Sequence, residues 1–225
     1  MKIKILTCTC LLFAVSANAA VDFDNIGDCG GCTTGADCFK SGIIYYRAQE
    51  YLKAKSCEEK SCIMGYGKGC VALGLLYENG LGVRQDYIQA KTLYEKGCNL
   101  YDGDGCLNLG VLYAKGIGVK QDYSQARTYF GKSCDLNNGA GCDGLGTTYL
   151  KGHGVKQDYS QAKTYYEKAC NLNHSDGCVS VGALYETGNG VRQSKNTAKE
   201  YYGKACDLGQ QVGCDFYRRL NETGY

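Results

Sequence analysis

The chain has 225 residues, among them 16 cysteines, 32 glycines and 20 tyrosines, and it has neither proline nor tryptophan. The absence of proline excludes collagen, and a hydrophobic content of 44% excludes a disordered linker. Lysine and arginine total 25 against 23 acidic residues, so the net charge gives the chain no reason to bind nucleic acid or an anionic membrane.

The start of the chain has the pattern of a signal peptide. Lys2 and Lys4 precede an apolar stretch at 5–15, and Ala-Asn-Ala at 17–19 supplies a small-x-small cleavage site. The apolar stretch is much shorter than the roughly 20 residues that span a bilayer, which argues against a membrane anchor. We predict that residues 1–19 form a signal peptide, cut after its last residue, and that the mature protein is secreted or periplasmic without stable membrane insertion.

The cysteine content predicts a disulfide framework. Loss of Cys8 and Cys10 with the signal peptide leaves 14 cysteines, an even number in an exported chain. Zinc sites often combine two C-x2-C pairs, and here only Cys29 and Cys32 have that spacing. We therefore predict seven disulfides, no metal and no cofactor.

The cysteines recur with a step of 36 residues in two ladders, which is typical of a repeat protein. We predict a cysteine-containing strap at 20–35, a shortened first repeat at 36–67, four full repeats at 68–211 and a C-terminal capping helix at 212–225. The ladders hold Cys62, Cys98, Cys134, Cys170 and Cys206, and Cys70, Cys106, Cys142, Cys178 and Cys214.

Each repeat shows the spacing of two helices. In the first helix, Cys106, Leu109, Gly110 and Tyr113 fall on one face because they are spaced i, i+3, i+4 and i+7. The glycine is expected to let a neighbouring helix approach closely, which outweighs its poor helix propensity. The pattern predicts an all-α fold, a right-handed superhelical solenoid of antiparallel helix pairs crosslinked by disulfides.

The second helix begins with a capping-box pattern such as Asp122 followed by Gln125. Its inner face is predicted to carry an alanine, as at Ala162, and then an aromatic residue such as Tyr165 or Tyr201. A Gly-x-Gly-Val loop joins the two helices, and its glycines are expected to end the first helix with positive φ.

Each Cys-x7-Cys pair is expected to link the end of one second helix to the start of the next first helix. The remaining four cysteines form two more disulfides, and two arrangements stay open. Cys38 occupies the position of Cys70, so its partner is Cys29 or Cys32, and the other of these two bonds Cys57.

Both ends of the solenoid depart from the period. Cys38 and Cys62 are 24 residues apart, whereas Cys70 and Cys98 are 28 apart, so the first repeat lacks the Gly-x-Gly-Val loop. At the other end Arg218 replaces the packing glycine, which predicts a cap beyond which nothing stacks.

The sequences Leu-Gly-x-Leu-Tyr, Gly-x-Gly-Val and Gln-Ala-Lys-x-x-Tyr resemble the Sel1-like repeat, a relative of the tetratricopeptide repeat. With the Cys-x7-Cys ladder and the export signal, the chain is more narrowly similar to the Helicobacter cysteine-rich protein family. That resemblance implies an exported, disulfide-crosslinked solenoid. It also implies two alternative functions, β-lactamase or penicillin binding on one side and protein interaction on the other.

A serine β-lactamase needs three short motifs in one site, because acyl transfer requires a nucleophile, a base and a positioned cation. Fragments of the motifs occur at Ser160 and Lys163, at Tyr77 and Asn79, and at Lys40. Lys40 and Ser160 are three repeats apart, or about 30 Å at roughly 10 Å per helix pair. We expect them to be parts of the repeat, and the hydrolase alternative has no assigned catalytic residue.

The two histidines, His153 and His174, occupy loop positions at which the other repeats carry unrelated residues. We predict that both are solvated loop residues without a metal.

A solenoid presents a concave surface lined by its first helices, and positions that vary between repeats on that surface are candidates for ligand contact. The varying positions lie two and nine residues after the second cysteine of each pair. We predict a monomer that binds a protein, a peptide or a peptidoglycan-derived ligand there. The candidate ligand-binding residues are Asn108, Lys115, Lys151 and Ser180.

Overall fold

The computed structural model describes residues 29–225, so the signal peptide and the first part of the strap lie outside the described residues. Within that range the chain forms eleven α-helices and a short 3-10 turn, Cys29–Gly31, and no strand. The helices stack as antiparallel pairs, which confirms the predicted all-α solenoid. The helices are α1 Gly35–Arg47, α2 Tyr51–Ile63, α3 Gly67–Asn79, α4 Tyr87–Asn99, α5 Gly103–Lys115, α6 Tyr123–Asp135, α7 Gly139–Lys151, α8 Tyr159–Asn171, α9 Ser175–Thr187, α10 Lys195–Asp207 and α11 Gln211–Glu222.

Odd-numbered helices are the first helices of the pairs and even-numbered helices are the second. Each first helix packs against its own second helix, and successive first helices also contact one another, α3 with α5, α5 with α7 and α7 with α9. The solvent-exposed parts of α3, α5, α7 and α9 therefore lie side by side along the stack. We call this surface the first-helix face.

A buried aromatic ring fills the centre of each full helix pair, four residues after the buried alanine of the second helix. Tyr166 is 2% exposed and lies against Gly146, where an added Cβ would be 2.7 Å from the ring. The prediction for Tyr165 is wrong by one residue, because the half-buried Tyr165 instead stacks on Tyr149 with ring centroids 5.5 Å apart. Tyr201 likewise stacks outside the centre. The central rings are Tyr94, Phe130, Tyr166 and Tyr202.

We expect Gly74→Ala to lower the free energy of unfolding by about 2 kcal/mol, because overpacking a core costs roughly 1–3 kcal/mol. An added Cβ there would lie 2.6 Å from the Tyr94 ring. Gly131→Ala is the matched control, since Gly131 lies within α6 with no atom within 4 Å of an added Cβ. That variant should be more stable by about 1 kcal/mol through helix propensity. Urea unfolding measures both, and equal effects would contradict the packing role of the glycine.

Aspartate caps the second helices α4, α6 and α8, as predicted, but the predicted reciprocal half of the capping box is wrong. The carboxylate of Asp122 accepts from the backbone N–H groups of Ser124 and Gln125. The backbone N–H of Asp122 itself donates to the Tyr113 carbonyl at 2.9 Å, so it is already satisfied without the Gln125 side chain. Gly116 ends the preceding first helix with φ 69°, as expected from the loop sequence.

The structure pairs all 14 cysteines of residues 29–225. Each of the five Cys-x7-Cys pairs joins a second helix to the next first helix, with Cα atoms 4.4 to 4.7 Å apart. Of the two arrangements left open for the other four cysteines, the structure has Cys32 bonded to Cys38 and Cys29 bonded to Cys57. Every boundary between successive helix pairs therefore carries a covalent link.

Elements outside the repeat pattern close both ends of the solenoid. At the N-terminal end, Cys29 is bonded to Cys57 on α2, and Lys60 Nζ donates to the Cys29 carbonyl at 2.7 Å. At the C-terminal end, Phe216 of α11 packs on the Tyr202 ring at 5.0 Å. The Arg218 side chain, at the place of the packing glycine, is 65% exposed.

Candidate functional site

All four predicted ligand residues lie on the first-helix face, on three successive helices. Asn108 and Lys115 are on α5, Lys151 is on α7 and Ser180 is on α9. Residues two, five and nine positions after a cysteine share one side of a helix, which places these side chains in parallel rows. Lys115 and Lys151 are exposed final residues of their helices, whereas Asn108 and Ser180 are half-buried nearer the helix starts.

A polar cluster that the sequence interpretation missed lies where α7, α8 and α9 meet. It consists of Asp143, Thr147, Tyr166 and Ser180, and we call it the α7–α9 cluster. The Thr147 and Tyr166 hydroxyls are 3.0 Å apart. The Ser180 hydroxyl lies close to both the Asp143 carboxylate and the Tyr166 hydroxyl. The structure thus connects one predicted residue, Ser180, with three others.

The Asp143 carboxylate is poorly solvated. Its Oδ1 atom is buried and has no hydrogen-bond partner. Burial, together with the smaller effect of the negative charge of Asp176, raises the pKa of Asp143 to about 7, and the neighbouring Ser180 hydroxyl opposes this shift. At neutral pH the carboxyl group is therefore poised between its two protonation states. Burial also raises the pKa of Tyr166, to about 12.

The other repeats show what the α7–α9 cluster replaces. Tyr202 donates to Glu186 Oε2 at 2.8 Å, and Tyr94 donates to Glu78 in the same way. In the fourth repeat Leu150 stands at the position of these glutamates, and the Tyr166 hydroxyl contacts Thr147 instead. A signal was present in the sequence, since the position of Asp143 is apolar in the other three full repeats. Those residues are Val71, Leu107 and Val179.

The β-lactamase-like fragments lie on separate helices. Lys163 Nζ contacts Glu167 Oε1 at 3.1 Å and lies over the Tyr185 ring at 5.7 Å. Lys40, on α1, contacts Asp37, and the Tyr77 fragment is on α3. Within residues 29–225 these fragments therefore do not assemble into an acyl-transfer site.

The predicted solvation of both histidines is wrong. The His153 ring stacks on Tyr123 with centroids 4.4 Å apart, because the loop of one repeat packs on the second helix of the previous repeat. His174 is the residue before α9, its side chain is 22% exposed, and burial lowers its pKa. In the described part of the chain no three metal-binding side chains come together. No helix there is long and apolar enough to cross a membrane.

Two open clefts lie at the edge formed by the Gly-x-Gly-Val loops. The cleft of about 470 Å³ is lined by Tyr149, Ser160 and neighbouring loop residues, and the cleft of about 690 Å³ by Tyr77, Ile88 and their neighbours. The two linings occupy equivalent positions two repeats apart. They therefore follow from the repeat itself and do not single out one ligand.

The Sel1 repeat family model matches four successive segments, residues 67–102, 103–138, 140–174 and 175–210. No curated protein matches the chain. The four segments coincide with the four full helix pairs, which confirms the resemblance to Sel1-like repeats.

Several solved structures are similar. A Sel1 repeat protein from Oxalobacter formigenes is 21% identical, with a TM-score of 0.74, over 82% of this chain and 75% of that one. The protective antigen c5321 of uropathogenic Escherichia coli, which displays an SLR fold, is 23% identical with a TM-score of 0.71 over 85% of this chain, which spans 42% of its length. Helicobacter pylori cysteine rich protein B is 36% identical over 58% of this chain and 94% of its own, with a TM-score of 0.49.

Proposed function

Since the chain belongs to the Sel1 repeat family, we propose that it is an exported binding protein that holds a protein, a peptide or a cell-wall fragment on its first-helix face. Sel1 repeat proteins generally mediate protein interactions. The 14 paired cysteines suit an oxidising compartment outside the cytoplasm.

The observation that carries the proposal is the contrast between a constant frame and a varied face. Buried glycines, alanines, aromatic rings and disulfides recur at the same positions in every full repeat. On the first-helix face, Gly144 and Ser180 share one position and Lys151 and Thr187 share another. Because these exposed or half-buried differences do not alter the frame, they supply the chemistry by which one ligand is selected.

The disulfides support a binding role in a second way. A ligand that binds to a flexible surface must bear the entropy cost of ordering it. Here every boundary between helix pairs is covalently linked, so the rows of side chains on α5, α7 and α9 are held in register before a ligand arrives. With both ends closed by the strap and α11, we propose that the protein acts as a monomer.

Affinity capture tests the proposal. The oxidised mature protein is immobilised and exposed to cell-envelope extract and to peptidoglycan fragments, and bound species are identified by mass spectrometry. We expect at least a tenfold loss of capture for the variant carrying Asn108→Ala, Lys115→Met, Lys151→Met and Ser180→Ala.

The control for that experiment carries Lys120→Met and Lys156→Met, which remove two exposed loop lysines away from the first-helix face. It has the same net charge as the test variant and should capture as much ligand as the unmodified protein. Equal loss in the two variants would show that net charge, and not the first-helix face, governs binding.

A further inference from the structure

We propose that the α7–α9 cluster is a pocket for a primary ammonium group of the ligand, with the Asp143 carboxylate as the anionic partner. The inference rests on the proposed binding function and names the ligand chemistry at one place on the first-helix face. A lysine-type side chain and a peptide N-terminus both carry this group.

The position of the cluster gives a ligand access to it. Asp143 lies beside the first-helix face, and the next residue, Gly144, has no side chain where Asn108 and Ser180 stand on the adjacent first helices. Gly144 is backed by Phe130, since an added Cβ would lie 2.9 Å from that ring. Asp143, Thr147 and Ser180 are each only half-buried, so the cluster reaches the solvent at this place.

The charges around Asp143 favour a cation. Asp176 on α9 faces it with a like charge, with His174 next to Asp176, and α8 contributes the neutral Tyr166 hydroxyl. The charged group that acts on Asp143 is the carboxylate of Asp176, and Lys151 lies two turns further along α7. A carboxylate held in low solvation beside a second carboxylate gains most from a bound positive charge.

The hydrogen-bonding groups fit an ammonium group in number. An ammonium group has three donors and no acceptor, and a hydroxyl oxygen can accept while it donates elsewhere. Asp143 Oδ1 is an acceptor without a partner, and Thr147 and Ser180 add hydroxyl oxygens nearby. A guanidinium group is planar and needs parallel acceptors, which one unpartnered carboxylate oxygen and scattered hydroxyls do not offer.

The cluster replaces apolar packing that the other repeats keep. Val71 and Val179, at the position of Asp143, pack within the hydrophobic clusters of their repeats. A buried carboxylate with an unpartnered oxygen destabilises the fold relative to valine. Groups that are buried at such a cost and have perturbed protonation are concentrated at binding and catalytic sites.

Peptide titration tests the inference on the complete oxidised protein. Four pentapeptides share the sequence Gly-Gly-X-Gly-Gly. The first has an acetylated N-terminus and a free lysine amine, and the second has a free N-terminus and an acetylated lysine. The third has both amines acetylated, and the fourth has an acetylated N-terminus and arginine in place of lysine. Binding is followed through the NMR amide signals of Thr147 and Ser180. We expect the amine peptides to bind at least tenfold more tightly than the fully acetylated one, and comparison of the two amine peptides distinguishes a side chain from an N-terminus.

Variants assign the preference to Asp143. Asp143→Asn should abolish the tenfold difference, and Thr147→Val with Ser180→Ala should reduce it several-fold. Asp215→Asn, which removes an exposed carboxylate on α11, should leave it unchanged. In the unmodified protein the preference should grow about tenfold from pH 6 to pH 8, as the carboxylate ionises.

Each other outcome overturns the inference. Equal binding of all peptides, absence of binding, or a preference that survives Asp143→Asn would show that the cluster is a structural polar network only. Tightest binding of the arginine peptide would identify a guanidinium site. If peptides without amine preference shift the amide signals of Asn108 and Lys151, the ammonium pocket is wrong but the proposed binding function still stands. That function is tested separately by the capture experiment.

Discussion

Replacing Glu58 with glutamine is expected to raise the free energy of unfolding by about 3 kcal/mol at pH 7. Glu58 stands on α2 where the full repeats have their central aromatic ring, it is 2% exposed, and its Oε2 atom has no hydrogen-bond partner. Burial raises its pKa from 4.5 to about 9. At pH 7 the folded protein therefore holds a proton that the unfolded chain has released, and this difference opposes folding.

The sign of the pH dependence follows from that shift. Below pH 4.5 the carboxyl group is protonated in both states and has no effect, and the destabilisation grows as the pH rises toward about 9. Urea unfolding of the oxidised protein at pH 5 and pH 8 should show the unmodified protein losing about 4 kcal/mol more than Glu58→Gln. Glu59→Gln is the control, because the Glu59 side chain is 40% exposed and forms an ion pair with Lys55 at the surface.

Two results would contradict this account of Glu58. One is a pH dependence that is the same in Glu58→Gln and in the unmodified protein. The other is a Glu59→Gln effect as large as that of Glu58→Gln, since exposed ion pairs are worth less than about 1 kcal/mol.

Removal of the central Cys134–Cys142 disulfide by alanine substitution is expected to cost about 2.5 kcal/mol, the chain-entropy value for a loop this short. The two cysteines are 8 residues apart and join α6 to α7 in the middle of the solenoid. In a repeat protein each unit contacts only its neighbours, so a weakened central boundary allows the two halves to unfold separately. Thermal unfolding should change from one transition to two.

The Cys206–Cys214 disulfide provides the matched control, because it has the same spacing but joins the last helix, α11, to α10. Its removal should release α11 locally and leave the main transition single. If the two removals split the transition equally, or if neither lowers the stability, the disulfides do not act as the repeat architecture requires.

The fold was predictable because two ladders of cysteine with a constant step determine both the repeat length and the crosslinks. The pairing of Cys29, Cys32, Cys38 and Cys57 was not, since these residues lie outside the period and the path of the strap decides which sulfurs meet. The position of the central ring could also have been read from the sequence. The central ring is aromatic in all four full repeats, whereas the position of Tyr165 is Leu93 in the first of them.

The candidate site shows the same division between local pattern and three-dimensional contact. Spacing alone placed Asn108, Lys115, Lys151 and Ser180 on the first helices of the repeats. The connection of Ser180 to Asp143 and Tyr166 depends on contacts among three helices, which no spacing within one helix reveals. In the sequence, Asp143 stands out because this position is apolar in the other three full repeats. Its role in the site follows only from the structure, in which its carboxylate oxygen has no hydrogen-bond partner.

Site-specific photo-crosslinking in the exporting cell tests the central claim most directly. A photoreactive amino acid replaces Lys115 or Lys151 on the first-helix face, and in parallel Thr128 or Thr164, exposed residues on the second helices α6 and α8. We predict defined adducts from positions 115 and 151 and none from positions 128 and 164. Adducts only from the second helices, or equal adducts from all four positions, would contradict binding on the first-helix face.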